Sequence, residues 1–179
     1  MNIREFGYYF AHNRKGLLNR LVMEYHIPIR PWWSIFWHEA HLYDSLEVRG
    51  MDVIDVGCDY GVTPMYFLAR GARSVTGFSE WEPRFYHSAY LHHTGRTTAA
   101  RIREQCPASE TSVMKADVEG LEWDFIPEWI DGFRDWIIVC HDPVKNPYLL
   151  RWLLRHGHII GRQPEVNEFT IIQKNKGKQ

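Results

Sequence analysis

The apolar run Asp52-Val53-Ile54-Asp55-Val56 is separated from a helix start at Thr63-Pro64 by little more than Gly57-Cys58-Asp59-Tyr60-Gly61. This order constrains the fold more than any other feature of the chain. A β-branched, largely apolar run reads as a strand buried on both faces, and such strands belong to parallel sheets covered by helices. Thr63 suits a helix cap, Pro64 suits the first helical position, and Gly71 suits the stop. The two glycines between strand and helix allow backbone conformations closed to other residues and let a ligand approach closely. The helix start adds free N–H groups and a positive dipole end, which suit a carboxylate.

The alternation continues after this unit. Ser74–Ser79 reads as a second strand, and Pro83 opens a stretch predicted as helix through Gln105, with Gly95 as a point where it can break. Thr111–Val118 is the next strand, followed by a helical segment interrupted by Pro127 and ended by Gly132. Trp136–Cys140 is a wholly apolar strand. Pro147 starts a helix with Leu149, Leu150, Leu153 and Leu154 at helical spacing, stopped by Gly157. His158–Gly161 and Glu168–Gln173 form a final strand pair. The pattern predicts a Rossmann-like α/β domain: a mainly parallel sheet, helices on both faces and a C-terminal antiparallel strand pair. In such a sheet the ligand binds at the carboxyl ends of the strands, beside the topological switch point.

Residues 1–49 differ in character. Leu17, Leu18, Leu21 and Val22 fall at helical spacing, then two prolines in Ile27-Pro28-Ile29-Arg30-Pro31 impose an extended link. Trp32, Trp33, Phe36, Trp37, Ala40 and Tyr43 follow at helical spacing. We read residues 1–49 as an aromatic-rich helical extension and 50–179 as the α/β domain. The extension suits a lid, a scaffold or the surface of a homodimer. His38-Glu39-Ala40-His41 does not read as a zinc motif, because its histidines are three apart where the metalloprotease pattern needs four.

Net charge and cysteines bound the function. A formal charge of −1 over 179 residues lacks the footprint of a dedicated nucleic-acid binder. The basic residues Lys174, Lys176 and Lys178 read as a solvated tail. Cys58, Cys106 and Cys140 form no CxxC pair and fit a reduced, cytoplasmic thiol set. No apolar run approaches the ~20 residues that cross a bilayer, so no membrane partner is expected.

Four polar groups stand at strand ends. Asp117 and Glu119 follow one central strand, and His141 and Asp142 follow the next. Adjacent strands lie roughly 4.8 Å apart, so these groups can converge on one cleft. Asp142 or His141 can serve as a general base there and Asp117 can position an acceptor. No resident metal is expected.

The loop Asp55-Val56-Gly57 through Gly61 resembles the first motif of class I S-adenosylmethionine-dependent methyltransferases. Within that superfamily the chain looks most like the FkbM-type O-methyltransferases. The resemblance rests on Val53–Gly61, on Gly71-Ala72 with Val75-Thr76-Gly77-Phe78, and on Met114-Lys115-Ala116-Asp117-Val118-Glu119-Gly120-Leu121-Glu122. It covers roughly residues 50–173. It implies S-adenosylmethionine as cofactor, with Gly57, Cys58, Asp59 and Gly61 around its methionine end and Asp55 holding the loop and reaching its amino group. Ser79 occupies the usual acidic ribose position, with Glu80 one residue later, and Trp81 can stack on the adenine. The acceptor implied is a hydroxyl of a small molecule or sugar. Two departures stand out: the shifted acid, and a third strand that is missing or vestigial, together with its adenine-recognising loop. These departures motivate an alternative reading as a non-catalytic binding or assembly module of the same fold. A nicotinamide site is disfavoured, because Gly57 to Gly61 lacks the Gly-x-Gly-x-x-Gly spacing.

Overall fold

The computed structural model describes residues 42–58, 60–85, 87–163 and 167–173. The two helices expected before residue 42, the Trp32–Trp37 cluster, the His38–His41 motif, Asp59 and the lysine tail lie outside the described residues.

Seven strands form one sheet: β1 (Asp52–Val56), β2 (Ser74–Ser79), β3 (Tyr90–Thr94), β4 (Ser112–Ala116), β5 (Asp135–His141), β6 (His158–Gln163) and β7 (Glu168–Gln173). Their order is β3-β2-β1-β4-β5-β7-β6. The first five run parallel, while β7 pairs antiparallel with β5 and with β6. This is the Rossmann-like sheet with an antiparallel C-terminal pair that the alternation implied. The chain leaves β1 toward β2 on one side and later returns to β4 on the other. The switch point therefore lies between β1 and β4, where a ligand crevice belongs.

One expectation fails. The third strand is present. Residues 90–94 form β3 and pair along their whole length with β2, from Val75↔Tyr90 to Ser79↔Thr94. The stretch 83–105 is thus not one helix; its helical part is only α2 (Ala99–Gln105), capped by the Thr98 side chain, which accepts from the Arg101 amide. β3 is an edge strand with no fully buried residue, so it lacks the apolar run by which a strand is recognised. Its high-propensity Tyr90 and Thr94 are diluted by His92 and His93.

Helices cover both faces. On one face α1 (Val62–Ala69) packs on Val53, Val75, Val113 and Ile137. On the other, α2, α3 (Pro127–Asp131) and α4 (Pro147–His156) pack on Ile54, Met114, Trp136 and Ile138. The alternate residues of each strand therefore divide between two cores. Every residue of α1 is buried. Tyr43, Leu46 and Val48 are also buried, in the same core as α1. Arg70 fastens that segment by donating to the carbonyls of Tyr43, Asp44 and Leu46. The junction expected at 49/50 therefore falls inside a packed unit. All three cysteines are free and buried. No described helix is long and apolar enough to cross a membrane.

Candidate active site

A cleft of about 550 Å³ opens at the carboxyl ends of β1, β2 and β4. Ligand sites commonly enclose roughly 300–1,000 Å³. One wall is the end of β2 and its loop: Phe78, Ser79, Glu80 and Trp81. Gly95, Arg96 and Thr97, the loop after β3, form a second wall. The floor is Val56-Gly57. The third wall is Asp117-Val118-Glu119-Gly120 with Leu121 and Asp124.

The glycine loop is built differently from its sequence reading. Gly57 has φ +84°, and a Cβ there would lie 1.7 Å from the Asp117 carbonyl oxygen. The close approach is thus made by the protein's own backbone as β4 leaves the sheet. The amides of Gly57 and Cys58 both donate to the Phe78 carbonyl, and that of Gly61 donates to Cys58. These three amides are consumed inside the fold and do not cradle a ligand carboxylate. Gly61, at φ +90°, lies against Pro83 and Phe85. Neither it nor the buried Cys58 lines the cleft.

Asp55 is fully buried and does not line the cleft either. Its Oδ1 stands 3.2 Å from Lys115 Nζ, its register partner on β4. Neither carboxylate oxygen has a well-aligned hydrogen bond. Burial pushes the Asp55 carboxyl up, against the pull of the Lys115 charge and the Thr63 hydroxyl. Lys115 also donates to the Gly57 carbonyl at 2.7 Å, and its ammonium lies 5.4 Å over the Tyr43 ring. Asp55 therefore meets the loop only through Lys115, beneath the cleft.

The β2 end forms part of the cleft wall. Ser79 is buried and accepts from the Trp81 amide at 3.1 Å. Glu80 is exposed at the cleft edge, with one oxygen 3.7 Å from Arg96. Trp81 is 55% exposed, and its indole lies 5.9 Å from the Tyr60 ring. That Tyr60 ring also carries the Arg84 guanidinium at 4.5 Å. His92 of β3 contacts the Trp81 carbonyl at 3.0 Å, tying this loop to the edge strand.

The loop after β3 supplies a residue the sequence reading lacked. Thr97 Oγ1 is buried in the cleft wall and has no hydrogen-bond partner among the described residues. A buried hydroxyl left unmatched is costly, and a polar ligand edge would satisfy it. Its signal was present as Thr97-Thr98 ahead of Ala99, a β-branched pair before a capped helix, but the long-helix reading absorbed it.

Asp117 and His141 are brought together, and Asp142 is not. Asp117 Oδ1 lies 3.6 Å from His141 Nε2, and Oδ2 accepts from the Tyr43 hydroxyl at 3.0 Å. His141 sits behind the cleft wall among four carboxylates. Its Nδ1 is 3.2 Å from Glu122, and its Nε2 is 3.7 Å from Glu119 and 3.5 Å from Glu168. Burial alone would lower its pKa. The hydrogen bond and charge of Glu122, with the charges of Asp117 and Glu119, outweigh burial and raise it to about 9. At neutral pH the ring is an imidazolium, so it cannot accept a proton as the general base once expected. Asp142 is exposed at φ +45° and lines no part of the cleft.

Glu122 is the second residue the sequence reading undervalued. It is completely buried, accepts from the Gly120 amide at 2.8 Å, and accepts from the His141 amide at 2.7 Å. It thereby fastens the Glu119-Gly120 turn to the end of β5. Among the described residues no group of His, Cys, Asp and Glu has the geometry to hold a metal.

No family model matches the chain. Uncharacterized protein 158B of Sulfolobus islandicus rod-shaped virus 1 is 25% identical over 153 residues, spanning 78% of this chain and 91% of that protein. Uncharacterized protein 65 of Sulfolobus islandicus filamentous virus is 24% identical over 115 residues, spanning 62% and 73%. Among solved structures, the ribosomal protein L11 methylase of Lactobacillus delbrueckii subsp. bulgaricus superposes with a TM-score of 0.54. It is 14% identical and covers 80% of this chain and 79% of its own. The chain shares its fold with this methylase. TrmK of M. capricolum, solved with S-adenosyl-homocysteine, has it too, at a TM-score of 0.50 and 12% identity over 77% of this chain and 67% of its own.

Proposed function

We propose that this methyltransferase-fold protein binds S-adenosylmethionine in the cleft beside Gly57 and transfers its methyl group to a hydroxyl of a small molecule or sugar. The observation that supports the reading is that Ser79, Glu80, Trp81 and Thr97 line one cleft together with Gly57, at the carboxyl ends of the parallel strands. Glu80 and Ser79 would meet the ribose hydroxyls, Trp81 would face the adenine, and Thr97 would satisfy a polar edge of the base. When bound, the cofactor supplies an electrophilic methyl group. The chain's own part is to align the acceptor against Asp117 and Glu119. The Asp117-Val118-Glu119-Gly120 turn lines this wall and supports the FkbM-like assignment, and with it an oxygen acceptor. The reading fits a cytoplasmic protein without nucleic-acid or membrane partners, with the aromatic N-terminal region as a homodimer surface.

A second reading has its own support. With His141 held as a cation and Gly61 covered by Pro83 and Phe85, the same cleft suits a non-catalytic binding or assembly module. Thermal unfolding with S-adenosylmethionine, S-adenosyl-homocysteine and NAD separates the cases. A ligand at one hundred times its dissociation constant adds about 2.7 kcal/mol. Stabilisation by the first two alone supports the cofactor site, and none by any of the three removes it. Methyl transfer from radiolabelled cofactor to a panel of polyols and sugars then divides enzyme from module.

A further inference from the structure

His141 stands against four carboxylates, three from the stretch that follows β4 and one from β7. Asp117 follows β4, Glu119 stands in the turn beyond it, Glu122 lies in the 3₁₀ segment Leu121–Asp124, and Glu168 is the register partner of His141 on β7. Its backbone is fixed at both polar atoms. The amide donates to Glu122, and the carbonyl accepts from the Trp123 indole. Two of the carboxylates it faces, Asp117 and Glu119, belong to residues lining the cleft. Glu119 holds φ +51° and is followed by Gly120 at φ +107°, so the turn is in a conformation that needs outside support.

We propose that His141 is the positioning residue of this site: its imidazolium clasps Asp117 and the Glu119-Gly120 turn to Glu122 and Glu168, and its neutral form releases that wall of the cleft. The role in methyl transfer rests on the function proposed above; the clasp itself does not. With the proton in place, the imidazolium attracts all four carboxylates, which stand within 3.2–3.7 Å of its ring nitrogens. Without it, the same groups repel one another and a neutral ring can serve only part of them. The carboxyl of Glu168 already shows the crowding. Burial raises its pKa, and the charges of Asp117, Glu119 and Glu122 raise it further against the pull of His141.

The test is an NMR titration of the full chain, following the His141 ring and the amides of Asp117 and Gly120 together. We expect the ring to titrate well above the ordinary histidine range and both amides to shift with the same midpoint. In His141→Gln the two amides should lose that inflection, and S-adenosyl-homocysteine should bind about fivefold or more weakly at neutral pH, within the usual range of coupling between sites. A ring that titrates in the ordinary range overturns the proposal. So does a ring that titrates high while the two amides stay still. Should His141→Gln fail to fold, the wild-type titration decides alone. Should wild type bind no S-adenosyl-homocysteine, the proposed function fails, while coincidence of the ring and amide midpoints still decides the clasp.

Discussion

Replacing Lys115 by methionine should be among the most damaging conservative changes this fold can receive. Methionine keeps most of the aliphatic stem, so packing changes little. What disappears is the ammonium 3.2 Å from Asp55, in a pair whose side chains are 1% and 0% exposed. Removing one partner of such a pair leaves an uncompensated buried charge and costs about 3–5 kcal/mol, against a total stability of about 5–15 kcal/mol for a domain. The Gly57 carbonyl also loses its donor, which adds about 1 kcal/mol. Asp55→Leu with Lys115→Met should recover most of the loss, because both charges go together, and retain only the part belonging to Gly57. Lowering the pH should also rescue the single variant in part. Burial raises the Asp55 pKa, so the folded form takes up a proton that the unfolded chain releases, and a neutral carboxyl needs no counter-charge. Urea unfolding followed by tryptophan fluorescence reads all three. A loss below about 1 kcal/mol in Lys115→Met, or a double variant as weak as the single, would refute the reasoning.

Other consequences can be read directly. Since the His141 pKa is raised to about 9, its contribution is complete below the unfolded value of about 6.5 and disappears as pH rises through about 9, a loss of roughly 3 kcal/mol. Urea midpoints should fall across that window in wild type and not in His141→Gln. The Cys106 thiol, pushed up to about 11 by burial, adds its own loss only at higher pH. Gly57→Ala should destabilise by more than about 3 kcal/mol, since its Cβ meets backbone. Gly95→Ala has the same backbone sign but open space around it, so it should lose only about 1–2 kcal/mol; melting temperatures compare the two. Trp81→Ala should leave stability within about 1.5 kcal/mol while weakening S-adenosyl-homocysteine binding by about tenfold, as loss of one base stack does, measured by calorimetry. Thr97→Val removes a hydroxyl that has no partner among the described residues, so the melting temperature should hold or rise while affinity for S-adenosyl-homocysteine falls.

The legible parts of this protein are those where one physical demand dominates. β1, β4 and β5 are buried across nearly their whole length, and such strands are largely apolar, with Asp55 and Lys115 a mutually paired exception. β2 was found for the same reason, with Gly71 and Ser79 marking its limits. β3 answers to two environments, half facing solvent at a sheet edge, and its residues carry no single period. Glu122 was hidden by a related effect. A glutamate after a turn normally reads as solvated, and only the fold reveals that the backbone amides of Gly120 and His141 converge on it. Asp142 was misplaced because sequence fixes where a strand ends and not which way the next residue turns.

Gly57 exposes a deeper limit. A glycine between a strand and a helix satisfies a ligand that needs room and a neighbouring carbonyl that needs room equally well. Here the carbonyl is the demonstrable cause, so the glycine alone is no evidence for a cofactor. The better evidence is energetic. A buried ion pair is seldom more stable than apolar residues of the same volume, and Asp55 with Lys115 therefore makes a poor device for stability. What the pair does achieve is geometric. Lys115 fixes the Gly57 carbonyl and lies over Tyr43, Tyr43 fixes Asp117, and Asp117 meets His141. These links run from the segment before β1 to the end of β5, beneath and behind the cleft.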